Sequence, residues 1–408
     1  MNKDKDSVGN DPLDGVMEDF YRSGSSEKEA ETSRGDDGEG EEENEMKKDN
    51  PSSGKNQYSP DDYDLANLMV IGVGGGGNNA IDRMSEAGVD GVQLVSINTD
   101  AQVLEINESD RSIRIGKELT GGLGAGGNPE IGREAALENQ ETIEKLLQGV
   151  DMLFITCGMG GGTGTGATPV IAKVAQEMEI LTTGIVTKPF SFEGQDRAEK
   201  ANRGLKNLVN KVDTIITISN DRLLEVAPGD ISLINAFKLV DEVLMQGVKG
   251  ISELITVPGM INLDFADLEN AMRDGGPALM GIGEAEGDDK TEKAAKNAIS
   301  SPLLEGSIEG ARNIIMNVTG SPQLSLEEVT KAAELVKDEA DDDADIMFGT
   351  TIRDGLESVK LTVIATGYDG REETEGEEAI RNIALAEDQN GDFGSEDDLD
   401  TPTFLRKG

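Results

Sequence analysis

Cys157-Gly158-Met159-Gly160-Gly161-Gly162-Thr163-Gly164-Thr165-Gly166 lies between an apolar segment, Met152–Thr156, and a stretch with helical spacing, Thr168–Met178. Glycines let a backbone turn its N–H groups toward one point and let a ligand come close, and a helix starting just beyond adds its partial positive charge. The run therefore reads as a phosphate cradle made of main chain. It lacks the Gly-Lys-Ser/Thr ending of a P-loop, so the ordinary Walker ATPase pattern fails, and Thr163 and Thr165 remain as hydroxyl donors to phosphate or metal. A flexible glycine linker is the competing reading, but linkers do not sit tightly between a buried strand and an apolar-faced helix.

With 408 residues and 36% hydrophobic content, the chain has room for a large core, two globular domains and tails. Charge is its unusual property: Lys+Arg 37 against Asp+Glu 81 gives −44. Residues 1–62 hold 8 basic and 19 acidic side chains and residues 371–408 hold 4 and 12, so the tails carry −11 and −8 and the body −25. Repulsion on that scale is tolerable where counterions are concentrated, which implies a cytoplasm of very high salt. A nucleic-acid partner is not expected, because no basic patch is available to neutralise phosphates. No run of about 18 apolar residues and no charged-then-apolar start is found, so neither direct membrane insertion nor a signal peptide is expected. The single Cys157 excludes an internal disulfide and fits a small packed residue better than a nucleophile; these features together predict a cytoplasmic protein. Histidine is absent, which excludes His-dependent triads and His metal sites.

Residues 1–62 have almost no aliphatic periodicity and include the acidic run Asp36–Glu45, so a disordered acidic tail is expected, with a short apolar island at Val16–Tyr21. Order should begin near Leu65. Leu68–Val73 reads as a buried parallel strand, Gly74–Gly77 with Asn78 and Asn79 as the lead into a helix Ala80–Ala87, and Val92–Ile97 as the next strand. This βαβ opening contains G-x-G-x-x-G at Gly72–Gly77, with Asp100 somewhat beyond the spacing of a ribose-binding acid, so an NAD(P)-dependent Rossmann oxidoreductase is the natural rival. A second glycine cluster, Gly121–Pro129, precedes a helix from Glu130 to Leu147. One dinucleotide fold needs one such loop, whereas a triphosphate enclosed from several sides could use three, and the rival weakens accordingly.

Leu181–Val186 is another strand, followed by a loop in which Glu193 and Arg197 stand at i and i+4, a spacing that also suits a simple exposed ion pair. A helix over Ala198–Lys211 and a strand Thr214–Ile218 lead to Asn220-Asp221. Apolar positions from Ile231 to Leu254 recur at helical spacing, and about 24 residues at 1.5 Å each give roughly 36 Å of helix, enough to join two domains. Phe237 and Asp241, at i and i+4, share one face of it. The loop Thr256–Asp267 gathers Asn262, Asp264 and Asp267, where Asp264 is also placed to cap a following helix. Strands over Ala278–Gly283, Asn313–Val318, Ile346–Ile352 and Val359–Gly367, with helices over Thr291–Ser300 and Leu326–Asp338, predict a smaller α+β domain. Residues 371–397 read as a flexible acidic linker, and Asp398–Gly408 offers Leu399, Phe404 and Leu405 as the apolar anchors of a short recognition motif.

Gly160–Gly166 is similar to the signature of the tubulin/FtsZ superfamily, and its flanks resemble the FtsZ branch, the prokaryotic cell-division GTPases. The acid excess points to the type found in a halophilic archaeon. The resemblance runs from Leu65 to Gly367 and covers the terminal peptide. It implies an α/β fold: a Rossmann-like GTP-binding domain (63–230), a long central helix (231–254) and a smaller α+β C-terminal GTPase-activating domain (255–370). It implies GTP/GDP bound with Mg²⁺, held mainly through the phosphates with no certain protein ligand, and K⁺ as a second candidate cation. Gly74, Gly75, Gly76, Asn79, Gly124, Ala125, Gly126, Gly160, Gly161, Gly162, Thr163, Gly164 and Thr165 match the residues around the phosphates, and Asn98-Thr99-Asp100 matches a further family segment. By the same likeness Glu193 and Arg197 contact ribose and phosphate, Asn220 belongs to the nucleotide site, Phe237 stacks on guanine and Asp241 pairs with it. A carboxylate accepting from N1 and the exocyclic amine favours guanine over adenine.

In the family the Asn262, Asp264 and Asp267 loop is supplied to the neighbouring subunit, where two carboxylates can orient an attacking water and help hold Mg²⁺. The implied activity is hydrolysis of GTP to GDP and phosphate by a chain that self-associates head to tail into protofilaments of the midcell division ring; a tubulin-like GTPase with a shape or regulatory role is the alternative. Asp398–Gly408 resembles the peptide by which the family engages membrane-tethering division proteins. Asn78 stands where many relatives have glycine and Thr168 where many have alanine, and the long acidic N-terminal tail is a further departure.

Overall fold

The computed structural model describes residues 66–368, apart from Pro228, Gly229, Pro258, Met260, Asn262 and Asp342. The expected acidic tail, linker and terminal peptide lie outside the described residues.

Apolar runs that are buried on both faces make the centre of the sheet. β1 (Leu68–Val73) is buried at every position and β4 (Met152–Gly158) at all but its last, as expected of parallel strands covered by helices on both sides. Between them come α1 (Gly74–Glu86), β2 (Val92–Asn98), α2 (Ala101–Glu105), β3 (Arg111–Arg114), α3 (Lys117–Thr120), α4 (Pro129–Glu138) and α5 (Gln140–Leu146). After β4 follow α6 (Thr163–Glu177), β5 (Leu181–Lys188), α7 (Gln195–Val209), β6 (Thr214–Ser219), α8 (Asn220–Val226) and α9 (Leu233–Thr256). The remainder is α10 (Phe265–Met272), β7 (Gly276–Ala285), α11 (Lys290–Ile299), β8 (Asn313–Gly320), α12 (Leu326–Glu339), β9 (Asp345–Ile352) and β10 (Val359–Thr366).

These strands form one ten-stranded sheet in the order β3-β2-β1-β4-β5-β6-β7-β10-β8-β9. From β3 to β7 every pairing is parallel; β10 then runs antiparallel to both β7 and β8, and β9 parallel to β8. β7 is thus shared. Its first residues, Gly276–Ala278, pair with Thr214–Ile216 of β6, and the later ones pair with β10. One apolar layer packs α4 to α7 on the sheet through residues such as Ala135, Ile143, Ile171 and Leu205. The opposite layer holds α1 and α9, and reaches from Leu68 in β1 to Ile315 in β8 and Ile364 in β10. α9 therefore packs on both parts of the sheet, with Gly247 close against Ile185 and Met280, and Gly250 against Thr362. No helix among the described residues is long and apolar enough to cross a membrane.

Several boundaries differ from those read off the sequence. α1 starts at Gly74 and α6 at Thr163, so the glycines take part in the first helical turns instead of leading up to them. The single helix expected from Glu130 to Leu147 breaks at Asn139, whose backbone (φ −112°, ψ 18°) leaves the helical region and whose Oδ1 accepts from Gly116 N at 2.8 Å. α9 begins two residues later than expected because Ser232 caps it, accepting from Asn235 N at 3.3 Å. The short α2, β3 and α3 have no counterpart in the sequence pattern; β3, Arg-Ser-Ile-Arg, is a polar edge strand without apolar alternation.

Candidate functional site

Main-chain packing brings the three glycine segments together at the C-terminal ends of β1 and β4, the usual ligand position in an open parallel sheet. Gly74 has φ +72°, and a Cβ there would lie 2.7 Å from the Gly164 nitrogen, so the starts of α1 and α6 touch at a distance only hydrogen allows. On the other side, a Cβ at Gly162 would meet the Ala125 Cβ at 2.8 Å and the Asn128 nitrogen at 2.9 Å. Each segment also keeps a glycine facing open space: Gly75, Gly126 and Gly161 have nothing within 4 Å of a Cβ position.

Side chains fix this arrangement from below. Asn78, fully buried, donates to Gly72 O at 2.9 Å and accepts from Asn98 Nδ2 at 2.7 Å, tying the ends of β1 and β2. Asn98 Oδ1 accepts from Thr99 N at 2.9 Å and Asp100 N at 3.2 Å, and Asp100 caps α2. The Thr99 and Thr163 hydroxyls are 2.7 Å apart, and Gly160 N donates to Thr165 Oγ1 at 2.8 Å. Thr163 and Thr165 are therefore buried and already partnered within the protein, while Asn79 is exposed on α1. Gly124 N reaches Thr99 O at 3.4 Å, closing the second segment over the first. Neither α1 nor α6 has a side-chain N-cap, so two long helices converge with main-chain N–H groups that no cap satisfies. That is an anion cradle built chiefly of main chain, with Arg197 packed against Gly160 beside it.

Beside it lies an aromatic and carboxylate wall. Phe190, buried, stacks on Phe192 (centroids 4.9 Å, 14°) and meets the edge of Phe237 (5.4 Å, 87°), which stays 38% exposed at the start of α9. Glu193 binds Arg197 as an i, i+4 ion pair and accepts from Phe190 N at 2.9 Å, while Arg197 remains half exposed. Asp221 holds the same turn by accepting from Ser191 N at 2.9 Å. Asp241, one turn past Phe237, faces Arg83 and Asp82 of α1; burial pushes its carboxyl up to about 7, against the pull of Arg83 and with a further rise from Asp82. Asn220, at the first position of α8, is buried and its Oδ1 has no hydrogen-bond partner among the described residues. A buried orphan acceptor is costly unless a ligand donates to it. These groups fit a purine nucleotide: open main-chain N–H groups for phosphates, an aromatic face, and acceptors for base or sugar donors.

Asp264 and Asp267 are elsewhere. Asp264 caps α10, its Oδ1 accepting from Asp267 N at 2.9 Å, and both side chains are exposed. Their loop is pinned to β9, where Ile261 N donates to Thr350 Oγ1 at 3.1 Å. It follows Thr256, which packs on Gly91 just before β2, at the edge of the sheet opposite the glycine segments. Asn262, expected in the same loop, lies outside the described residues. Cys157 is fully buried, and burial pushes its thiol up to about 12, so it is a packing residue. Phe190, Arg83 and Asp82 escape the sequence reading; their partners are distant along the chain, and no local pattern marks them.

Residues 67–228 match the Tubulin/FtsZ family, GTPase domain, and residues 276–369 the FtsZ family, C-terminal domain. An empty FtsZ dimer from M. jannaschii is 45% identical, with a TM-score of 0.73 over 76% of this chain and 90% of that one. A tryptophan-to-tyrosine mutant of FtsZ from M. jannaschii is 44% identical, with a TM-score of 0.73 over 76% of this chain and 93% of that one. CetZ2 from Haloferax volcanii, in a GTPγS-bound protofilament, shares the fold at 22% identity, with a TM-score of 0.65 over 80% of this chain and all 100% of that one.

Proposed function

The chain belongs to the tubulin/FtsZ family of GTPases, and from that premise we propose that it polymerises head to tail, each contact completing an active site between two copies. One observation carries this reading: the exposed acids Asp264 and Asp267 stand past the far end of α9 from Phe237 and Asp241, so a chain cannot bring them to its own glycine segments. A second copy stacked end to end can. The FtsZ dimer among the similar structures supports self-association.

In this reading the main-chain N–H groups of Gly74–Gly76, Gly124–Gly126 and Gly160–Thr165 hold the phosphates, and the starts of α1 and α6 stabilise charge moving toward the β–γ bridge. Asn79, exposed at the cradle, Glu193 and Arg197 contribute phosphate and ribose contacts, and Phe237, Asp241 and Asn220 select guanine. The neighbour's Asp264, with Oδ2 left over from its capping bond, and Asp267 orient a water on the γ-phosphorus; Asn262 joins them. The water oxygen bonds to phosphorus as the bond to the GDP oxygen breaks, and the water proton passes to carboxylate or solvent. Mg²⁺, with K⁺ as a further candidate cation, would be held mainly through the nucleotide phosphates and would neutralise developing charge.

We extend the proposal to a cytoplasmic division ring at midcell, with Asp398–Gly408 engaging a membrane-tethering protein; the 45% identity to FtsZ favours this over a shape-determining role. GTP hydrolysis measured against protein concentration, across a KCl series reaching molar salt, tests the shared site. The rate per subunit should rise steeply with concentration; a rate that stays constant down to high dilution defeats the proposal.

A further inference from the structure

α4, α6 and α7, which cover one face of the parallel sheet, leave between them an open cleft of roughly 580 Å³. Arg133, Lys173, Lys200, Arg203 and Lys211 line it, a basic patch not expected from the sequence because its members are scattered along the chain, against only two carboxylates, Glu130 and Glu177, on a chain whose net charge is −44. Arg133, Lys173 and Lys200 each pair with an acid on their own helix, whereas the Arg203 side chain makes no ion pair or hydrogen bond with another described residue. A concentration of positive charge is the opposite of what solubility of an acidic protein requires, and it selects an anionic occupant.

We propose that this cleft docks the chain's own acidic segment Asp36–Glu45. That segment places seven carboxylates and no cation within ten residues. The described chain starts at Ala66, and Asn67 bonds to Asp151 at the N-terminal edge of β1 and β4. α6 runs back from the glycine segments toward that same edge, where Gln176 Nε2 reaches Asn210 O at 3.2 Å; Lys173 and Lys211 therefore lie on the side from which the tail departs. The 20 residues between Glu45 and Ala66 span up to about 66 Å when extended, ample for the cleft. Tethering raises the local concentration of the segment to about the millimolar range, so weak charge pairing suffices. The acidic stretch after Tyr368 is less well placed, because it follows β10, which β5, β6 and β7 separate from β4. The Debye length falls from about 8 Å at 0.15 M to about 3 Å at 1 M ionic strength, so docking is a low-salt state that concentrated salt releases.

Zero-length carbodiimide crosslinking of the full chain, with peptides identified by mass spectrometry, tests this. At low salt, links from Asp36–Glu45 to Lys173, Lys200 and Lys211 should exceed, several-fold, those to Lys145, Lys296 and Lys331, which are exposed outside the cleft. They should disappear in molar KCl and fall several-fold in R203Q, whose melting temperature should match that of the parent. In mixed ¹⁴N and ¹⁵N chains the links should join residues of one isotope. An even spread over all exposed lysines, links that persist in molar KCl, a predominance of mixed-isotope links, or occupation of the cleft by residues 371–397 would each overturn the proposal.

Discussion

Asp241 and Asp264 are held apart by the central helix: about 22 Å of α9 follows Asp241 before the chain turns into the loop that carries Asp264. A site that needs both must draw them from two copies. Asp264→Ala and Asp267→Ala should lower GTP turnover by about 10²–10⁴-fold, the range for loss of a positioned acid–base group, and leave GTP affinity unchanged. Mixing settles the geometry. A chain carrying both substitutions, combined with one whose cradle is closed by G161E, should regain part of the rate that neither shows alone. Assays of the separate and mixed chains at equal total concentration check this, and an additive rate of zero would place the whole site within one chain.

The proposed pairing of Asp241 with guanine predicts that nucleotide binding depends on pH. Its carboxyl, raised by burial from 3.8 to about 7, takes up a proton on folding. Because the folded value lies above the unfolded one, its contribution to stability is complete below about pH 4 and is lost as pH rises through 7. Accepting from guanine donors needs the ionised form, so GDP affinity should move the other way, rising as pH passes 7, with a proton released on binding. Calorimetry in buffers of different ionisation enthalpy should show that release near pH 7 and little of it well above. D241N should abolish the pH dependence and weaken binding by about 1–3 kcal/mol, since its amide sets a donor against guanine donors.

Glycine substitutions separate the cradle's scaffold from its open surface. An alanine at Gly74 combines φ +72° with a contact of 2.7 Å to Gly164 N, and G74A should cost about 1–3 kcal/mol or more of stability. G75A and G161A meet nothing within 4 Å. Both should melt close to the parent temperature without nucleotide, and G75A slightly above it, because Gly75 lies in the first turn of α1, where alanine suits a helix better than glycine does. Their GTP affinity should nonetheless fall, since in the proposed site the added methyl occupies space that a phosphate would fill. Thermal melts paired with equilibrium binding measure the two effects independently.

Much of this architecture is legible in the sequence because parallel strands buried on both faces are continuous apolar runs, as in Leu68–Val73, and because α9 keeps helical spacing for its whole length. The starts of α1 and α6 are not. Glycine is a poor helix former, so pattern alone sets the helix after each glycine run, whereas the contact of Gly74 with Gly164 draws both runs into helical turns. β3 is polar and held by its pairing with β2, and the break at Asn139 depends on a bond to Gly116, neither of which is local information. Asn78 and Asn79 are adjacent and alike in sequence, yet one is locked under the strands and the other faces outward; only the register of α1 distinguishes them. The Phe190–Phe237 contact and the charges of Arg83 and Asp82 around Asp241 likewise arise from folding.

Asn220 offers a test in which structural and binding roles predict opposite signs. Its Oδ1 is buried without a partner among the described residues, which costs the nucleotide-free protein about 1–3 kcal/mol. A ligand hydroxyl or amine that donates to it recovers that cost on binding. N220A removes the orphan acceptor and places a better helix former at the start of α8, so the nucleotide-free protein should melt no lower than the parent, while GDP affinity should fall by about tenfold or more. Scanning calorimetry without nucleotide and titration with GDP give the two numbers. Were Asn220 instead a packing residue at the start of α8, the pattern would invert: N220A would melt well below the parent and bind GDP as the parent does.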